Sequence, residues 1–201
     1  MSTQQQPQQQ ASTKVIVPPS LDIKNLVRFS YCNVFTPKAM KPGQEPKYSV
    51  SILIPKNNKK LYAMFVAAAT EAKNIGLVDK WKGKWTSNHK WPIRDGDVDR
   101  PDDEAYAGHW FVNASCKTKP AVVGRNPKIA IIDSTEFFSG CYGTVSVNFY
   151  PYNVDGGQGV ACGLNNIQKI HDGKPLGGRA NAEDEFTELP EEDSNDDSFM
   201  D

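Results

Sequence analysis

The chain reads as mainly β: a small, closed antiparallel barrel of five or six strands carrying one main α-helix. Three observations lead there. Runs rich in β-branched and aromatic residues recur through the middle of the chain, and one of them alternates cleanly. Only one stretch carries helical periodicity. Gly- and Pro-containing breaks separate the strand-like runs. A length of 201 residues suits one domain with polar ends better than two domains.

Residues 4–10 are all Gln except Pro7. They offer nothing to a core, so residues 1–13 are expected to be disordered. The first strand is expected over 26–35 (LVRFSYCNVF). The second, Lys47–Pro55, places Tyr48, Val50, Ile52 and Ile54 on one face and Ser49 and Ser51 on the other. The helix is expected over 58–75, with Leu61, Met64, Phe65, Ala68, Ala72 and Ile75 on one face. Asn57 or Asn58 serves as its N-cap and Gly76 as its stop. Ala67, Ala68 and Ala69 let a sheet approach closely. Residues 77–107 have little periodicity and many breakers, the pattern of a long connection. Strands follow over 108–118, 128–132, 141–152 and 160–170, the last two joined by the hairpin signal DGGQG at 155–159. This count fits an oligonucleotide-binding (OB) barrel better than a sandwich. The folded domain is expected over 14–178, followed by a disordered acidic tail over 179–201.

The net charge of −1 hides a strong asymmetry. Ten of the 24 acidic residues lie in 182–201, a stretch with no Lys or Arg. The other 14 face all 23 basic residues, which leaves the body at +9. A basic body calls for an anionic partner, and an acidic tail on the same chain competes for its basic face. The chain has no apolar run long enough to span a membrane, and no secretory signal at its start, so an intracellular protein without a membrane partner is expected. Cys32, Cys116, Cys141 and Cys162 form no CxxC pair, and His89, His109 and His171 do not complete a ligand set. No metal and no cofactor is expected.

The strand at 141–152 puts Val145, Val147 and Phe149 on one face and Tyr142, Thr144, Ser146, Asn148, Tyr150 and Tyr152 on the other. The strand at 108–118 turns Trp110, Val112, Ala114 and Cys116 inward, leaving Phe111, Lys117 and Lys119 on the opposite side. Rings flanked by lysines suit single-stranded nucleic acid, with bases stacked on the rings and phosphates on the ammonium groups. The alternative buries Phe111, Tyr142 and Tyr150 under the 77–107 connection. Within that connection, Trp81, Lys82, Lys84 and Trp85 interleave lysine and tryptophan around Gly83. Such a segment either clamps a strand or anchors the loop through one of its tryptophans. Trp91, before Pro92, reads as structural. Arg125 and Lys128 add phosphate contacts. Asp95, Asp97 and Asp99 start like a calcium loop, but Arg100 stands where Gly is needed and Tyr106 where Glu is needed. With Asp102, Asp103 and Glu104 nearby, a metal-dependent nuclease is the enzymatic rival. No P-loop, nucleophile elbow or dinucleotide fingerprint is present.

Several motifs recur in order: Trp91-Pro-Ile-Arg-Asp-Gly-Asp97, Tyr106-Ala-Gly-His-Trp110, Phe138-Ser-Gly-Cys-Tyr142, Val147-Asn-Phe-Tyr-Pro-Tyr152, Gly159-Val160 and Leu164-Asn-Asn-Ile-Gln-Lys169. Over most of 20–176 the chain resembles bacteriophage single-stranded DNA-binding proteins with an OB fold. The resemblance implies a basic, aromatic groove and no catalysis, with Asp95-Gly-Asp97 as a turn shaping the connection. The end of the chain, with Asp196, Asp197, Phe199, Met200 and Asp201, resembles the tails of replication-associated single-stranded DNA-binding proteins. Such tails occupy the groove in the absence of DNA and recruit polymerase, helicase or nuclease. The expected function is coating of single-stranded DNA, with weak duplex binding, in phage replication, recombination or repair inside the host cell. The interaction-class rival is a DNA-mimic inhibitor acting through the tail. The sequence leaves monomer and dimer open.

Overall fold

A computed structural model describes residues 13–39, 41–154 and 157–177. The expected disordered ends, apart from Thr13, lie outside those residues. In chain order the strands are β1 (Lys14–Ile16), β2 (Val27–Lys38), β3 (Lys47–Pro55), β4 (His89–Lys90), β5 (Ile93–Asp95), β6 (His109–Cys116), β7 (Ala121–Val123), β8 (Tyr142–Val154) and β9 (Gly157–His171). The helices are α1 (Lys59–Asp79) and the short α2 (Gly96–Asp99).

Five strands close a ring. β2 pairs with β3, β3 with β6, β6 with β9, β9 with β8, and β8 returns to β2. Every pair is antiparallel except β6–β9. This is an OB-type barrel, so both the mainly β class and the single main helix stand. Closure leaves no barrel strand with a free edge along its whole length. β1 adds to β8, β5 to β6, and β4 and β7 to β9.

The inward rows are those the alternation gives: Val50, Ile52 and Ile54 on β3, Val112 and Ala114 on β6, and Val145, Val147 and Phe149 on β8. Helix α1 covers the barrel with Leu61, Phe65, Ala68, Ala69 and Ala72, and Phe65 meets Phe149 edge-on at 6.2 Å. Asn58 is its N-cap, accepting from the Leu61 N–H at 2.9 Å. Trp110 is only partly buried; it stacks on Tyr62 at 3.6 Å, with Lys59 over its ring.

Gly76 does not stop the helix, which runs on to Asp79. The glycine is needed for packing instead: a Cβ there would lie 2.3 Å from the Trp81 ring and 2.7 Å from Pro151. The chain turns away one step later. Gly83 N–H donates to Leu77 C=O at 2.7 Å, and Lys82 and Gly83 adopt φ of 50° and 75°. Residues 128–132 form no strand; they touch the sheet through one bridge, Val123 to Ala130, with Ile129 and Ile132 exposed. The ladder in this region belongs to β7, whose three residues are too few for periodicity to show. The 77–107 connection is built from β4, β5, α2 and a 3-10 turn at Glu104–Tyr106. It covers Ser51, on the opposite face of β3 from Val50 and Ile52, whose hydroxyl accepts from Tyr106 Oη at 2.9 Å.

Candidate nucleic-acid interface

The outward face of the barrel has a floor of small polar side chains. Cross-strand register places Asn33 of β2 opposite Ser49 of β3, Ser49 opposite Ser115 of β6, Ser115 beside Gly163 of β9, and Gly163 opposite Asn148 of β8. Partners in register share a face, so these five residues form one lane across all five barrel strands. None of them is buried, and Asn33 Nδ2 donates to Ser49 Oγ at 3.3 Å. Gly163 keeps the lane low: a Cβ there would sit 3.0 Å from Asn148 Oδ1. Short hydroxyls and amides on a shallow surface let an extended strand approach the backbone while offering it hydrogen bonds.

At the β8 end the lane meets two rings, one exposed and one half-buried. Tyr150 is 42% exposed and lies opposite Ala161, while Tyr152 lies opposite Gly159. Small partners leave both rings without a bulky neighbour across β9. Burial of its inner edge pushes the Tyr150 phenol above its ordinary pKa. The lysine-tryptophan segment docks on the same arm. Trp81 Nε1 donates to Tyr152 C=O at 3.3 Å, and Asn153 Nδ2 donates to Lys80 C=O at 3.3 Å. Lys82 and Lys84 are exposed beside them. Trp81 itself is the anchor, 5% exposed beneath the turn, and is not available to a base. Trp85 is half-buried, stacked on His89 at 4.6 Å with the Lys73 ammonium over its ring. Lys90, which no sequence pattern singles out, joins this edge. Its ammonium and the Tyr152 hydroxyl each come within 3.9 Å of where a Gly157 Cβ would stand.

Phe111 is not an interface ring. It is wholly buried with Leu53 and Tyr106 in a second small core on the outer face of the barrel. Tyr106 meets it edge-on at 4.9 Å, and Arg94 and Arg100 lie over it at 5.0 and 5.9 Å. Alternation puts Phe111 on the outward face correctly; the connection then covers that part of the face.

The covering segment builds something the sequence reading missed. Arg28, Arg94, Arg100 and Lys174 line a groove of about 950 Å³, whose acidic side holds Asp99, Asp102, Asp103 and Glu104. Tyr31 neighbours it, 53% exposed, with its hydroxyl accepting from Arg100 at 3.2 Å. Tyr31 holds φ of 48° where the β2–β3 register shifts between Ser30 and Asn33. Left-handed backbone at a non-glycine residue is uncommon and collects at functional sites. No sequence pattern marks a bulge of this kind.

The remaining candidates are dispersed. Lys117 pairs with Glu45 at 2.6 Å, and Lys119 lies over the Phe35 ring at 5.8 Å, both beyond the end of β6. Tyr142 begins β8, about 26 Å along the strand from Tyr150 at ~3.3 Å per residue, and carries Arg28 over its ring at 5.2 Å. Arg125 is tied to that distant end, donating to Ile170 C=O at 2.8 Å and lying 3.2 Å from His171 Nδ1. Lys128 is exposed in the following loop. Asp196, Asp197, Phe199, Met200 and Asp201 lie outside the described residues.

The acidic cluster serves the fold. Lys56 Nζ reaches Asp95 at 2.5 Å and Asp97 at 2.6 Å, and Asp99 pairs with Arg94 at 3.1 Å. The bond from Lys56, then that from the Gly108 N–H, holds the Asp97 carboxyl below its ordinary pKa. Asp95 caps α2 by accepting from Asp97 N–H at 3.0 Å. Gly96 is required there, because a Cβ would come 2.2 Å from the Tyr106 carbonyl oxygen. Carboxylates already paired with lysine and arginine are poor ligands for a catalytic metal.

A family model described as Enterobacter phage Enc34, ssDNA-binding protein matches residues 20–199. The chain belongs to that family. Protein p50 of Acyrthosiphon pisum secondary endosymbiont phage 1 is 30% identical, over 82% of this chain and 91% of its own. Among solved structures, the single-stranded DNA-binding protein from bacteriophage Enc34 in complex with ssDNA superposes with a TM-score of 0.66 at 25% identity, covering 76% of this chain and 86% of that one. The single-stranded DNA-binding protein gp2.5 of bacteriophage T7 gives a TM-score of 0.53 at 16% identity over 90% of this chain and 98% of its own, a likeness of fold. Among the described residues, no helix of this family member is long and apolar enough to cross a membrane.

Proposed function

We propose that the chain binds single-stranded DNA without catalysis and with little sequence preference, coating it in phage replication, recombination or repair inside the host cell. The observation that carries this reading is the small-residue lane across the barrel, ending at Tyr150, Tyr152 and Lys90, with Lys82 and Lys84 exposed on the segment that docks on the same arm. Membership in the Enc34 family, which includes a solved ssDNA complex, supports it. Stacking on rings and ion pairing to phosphates are both indifferent to base identity, so affinity depends on salt more than on sequence.

The test is a salt titration of binding to single-stranded, duplex and RNA oligonucleotides. Tightest binding to single-stranded DNA with a steep salt slope is expected. Failure to bind any of them would favour the DNA-mimic reading. Within that experiment, Lys82→Ala with Lys84→Ala should flatten log K against log salt by about 0.7 for each phosphate these lysines neutralise in the parent protein. A lower affinity with an unchanged slope would remove these lysines from the interface.

The tail belongs to the same proposal. Lys174 to Gly177 form one wall of the groove that Arg28, Arg94 and Arg100 also line, and the acidic segment follows five residues later in the sequence. Its ten carboxylates compete there with DNA and also recruit polymerase, helicase or nuclease. Deleting residues 182–201 should raise affinity for single strands and raise weak duplex binding by a larger factor. Equal affinities for the truncated and full-length proteins at low salt would exclude competition.

A further inference from the structure

Beside the Tyr152 arm lies a pocket of about 260 Å³, lined by Lys80, Lys82, Lys84, His89, Asn153 and Gln158 among others. His89 is only 8% exposed, held between Trp81 edge-on at 4.8 Å and Trp85 face-on at 4.6 Å. Its Nδ1 lies 2.9 Å from the Thr86 backbone nitrogen and 3.0 Å from Thr86 Oγ1. A backbone N–H only donates, so Nδ1 is an acceptor and the neutral ring carries its proton on Nε2. That Nε2–H is buried and has no oxygen or nitrogen partner, the one such side-chain atom among the described residues. The tryptophans on either side supply none. An unmade hydrogen bond at a buried donor is costly, and native structures keep few of them.

We propose that this pocket binds a phosphate group of the nucleic-acid ligand, with His89 Nε2–H donating to a phosphate oxygen and Lys80, Lys82 and Lys84 supplying the charge. The proposal rests on the single-stranded DNA reading and gives it a fixed anchoring point. No carboxylate lines the pocket, and three lysines with an N–H donor in its lining favour an anion over a cation or a neutral base edge. The backbone is left-handed at Lys82, φ 50°, and at Gly83, φ 75°, within the segment whose Lys80, Lys82 and Lys84 all line the pocket. Register puts His89, Gln158 and Asn153 on one face of the β8–β9 arm and Lys90, Gly159 and Tyr152 on the other, so a phosphate held here lies across the arm from the Tyr152 ring.

The experiment follows the His89 Nε2–H resonance in full-length protein labelled with ¹⁵N-histidine. Oligothymidylate with and without a 5′-phosphate is titrated in turn, and inorganic phosphate separately. A saturable shift of His89 with both oligonucleotides assigns the pocket to internal phosphodiesters. A shift confined to the 5′-phosphorylated strand assigns it to a terminal phosphate. In either case the shift should vanish in the Lys82→Ala, Lys84→Ala protein. His89→Phe, which keeps a ring between the tryptophans but removes the donor, should weaken oligonucleotide binding roughly ten-fold or more, and His89→Gln should restore part of it. If Tyr150 and Tyr152 resonances move while His89 stays fixed, the pocket is not a phosphate site and the single-stranded DNA reading survives. If no resonance moves with any oligonucleotide, both fail.

Discussion

Phe111→Ala should lower the free energy of unfolding by about 3–5 kcal/mol, the usual cost of emptying a wholly buried aromatic site. The ring shares a small core with Leu53 and Tyr106, against which Ala105 and Leu176 pack. Removing it undercuts Tyr106, and with it the hydrogen bond to Ser51 and the tilted contact between Tyr106 and Tyr31 at 6.4 Å. A loss of that size is a large share of the ~5–15 kcal/mol that holds a typical domain together. Urea denaturation of the full-length protein measures it.

Phe111→Leu separates core from interface. Leucine refills most of the volume at a cost of about 1.5 kcal/mol or less, so the arginine groove keeps its shape. Affinity for single-stranded DNA should then match the parent protein. Weaker binding by a leucine variant that stays fully folded under the assay conditions would return Phe111 to the interface and contradict its burial.

The barrel was legible because its strands obey period two against one core. Val145, Val147 and Phe149 alternate with polar residues, and the inward row of β3 alternates likewise. The helix was legible from its apolar spacing and its Asn58 cap, though not its end, since Gly76 reads as a stop but is used for close packing under Trp81. Short elements were hidden: two- and three-residue strands such as β4 and β7 have no period. The site divided along similar lines. Tyr150, Tyr152, Lys82 and Lys84 stand out by residue type, and the fold brings them to one edge. The lane itself did not stand out, because Asn33, Ser49, Ser115, Gly163 and Asn148 come from five strands and only register joins them. Alternation cannot tell an outward ring that meets solvent from one that a later segment covers. Phe111 and Tyr150 differ in that respect alone.

Tyr150→Ala should therefore behave as the reverse of Phe111→Ala. With 42% of the residue exposed and Ala161 as its cross-strand partner, the tyrosine contributes little to the core, and stability should change by about 0.5 kcal/mol or less. Binding to oligothymidylate should weaken by about 1–3 kcal/mol, the cost of removing one base stack. At ~1.4 kcal/mol per ten-fold, the dissociation constant then rises by between roughly five-fold and somewhat more than a hundred-fold. The ring face does the stacking, so Tyr150→Phe should bind almost as the parent does. The salt dependence makes the assignment specific. Stacking releases no counterions, so Tyr150→Ala should displace the plot of log K against log salt downward without changing its slope, whereas the Lys82 and Lys84 substitutions change the slope. A flatter slope for Tyr150→Ala would mean that its removal dislodges a phosphate from its lysine, and Lys90, beside Tyr152, is the lysine to test by substitution. Unchanged affinity together with a clear loss of stability would show that Tyr150 packs over β9 and takes no base.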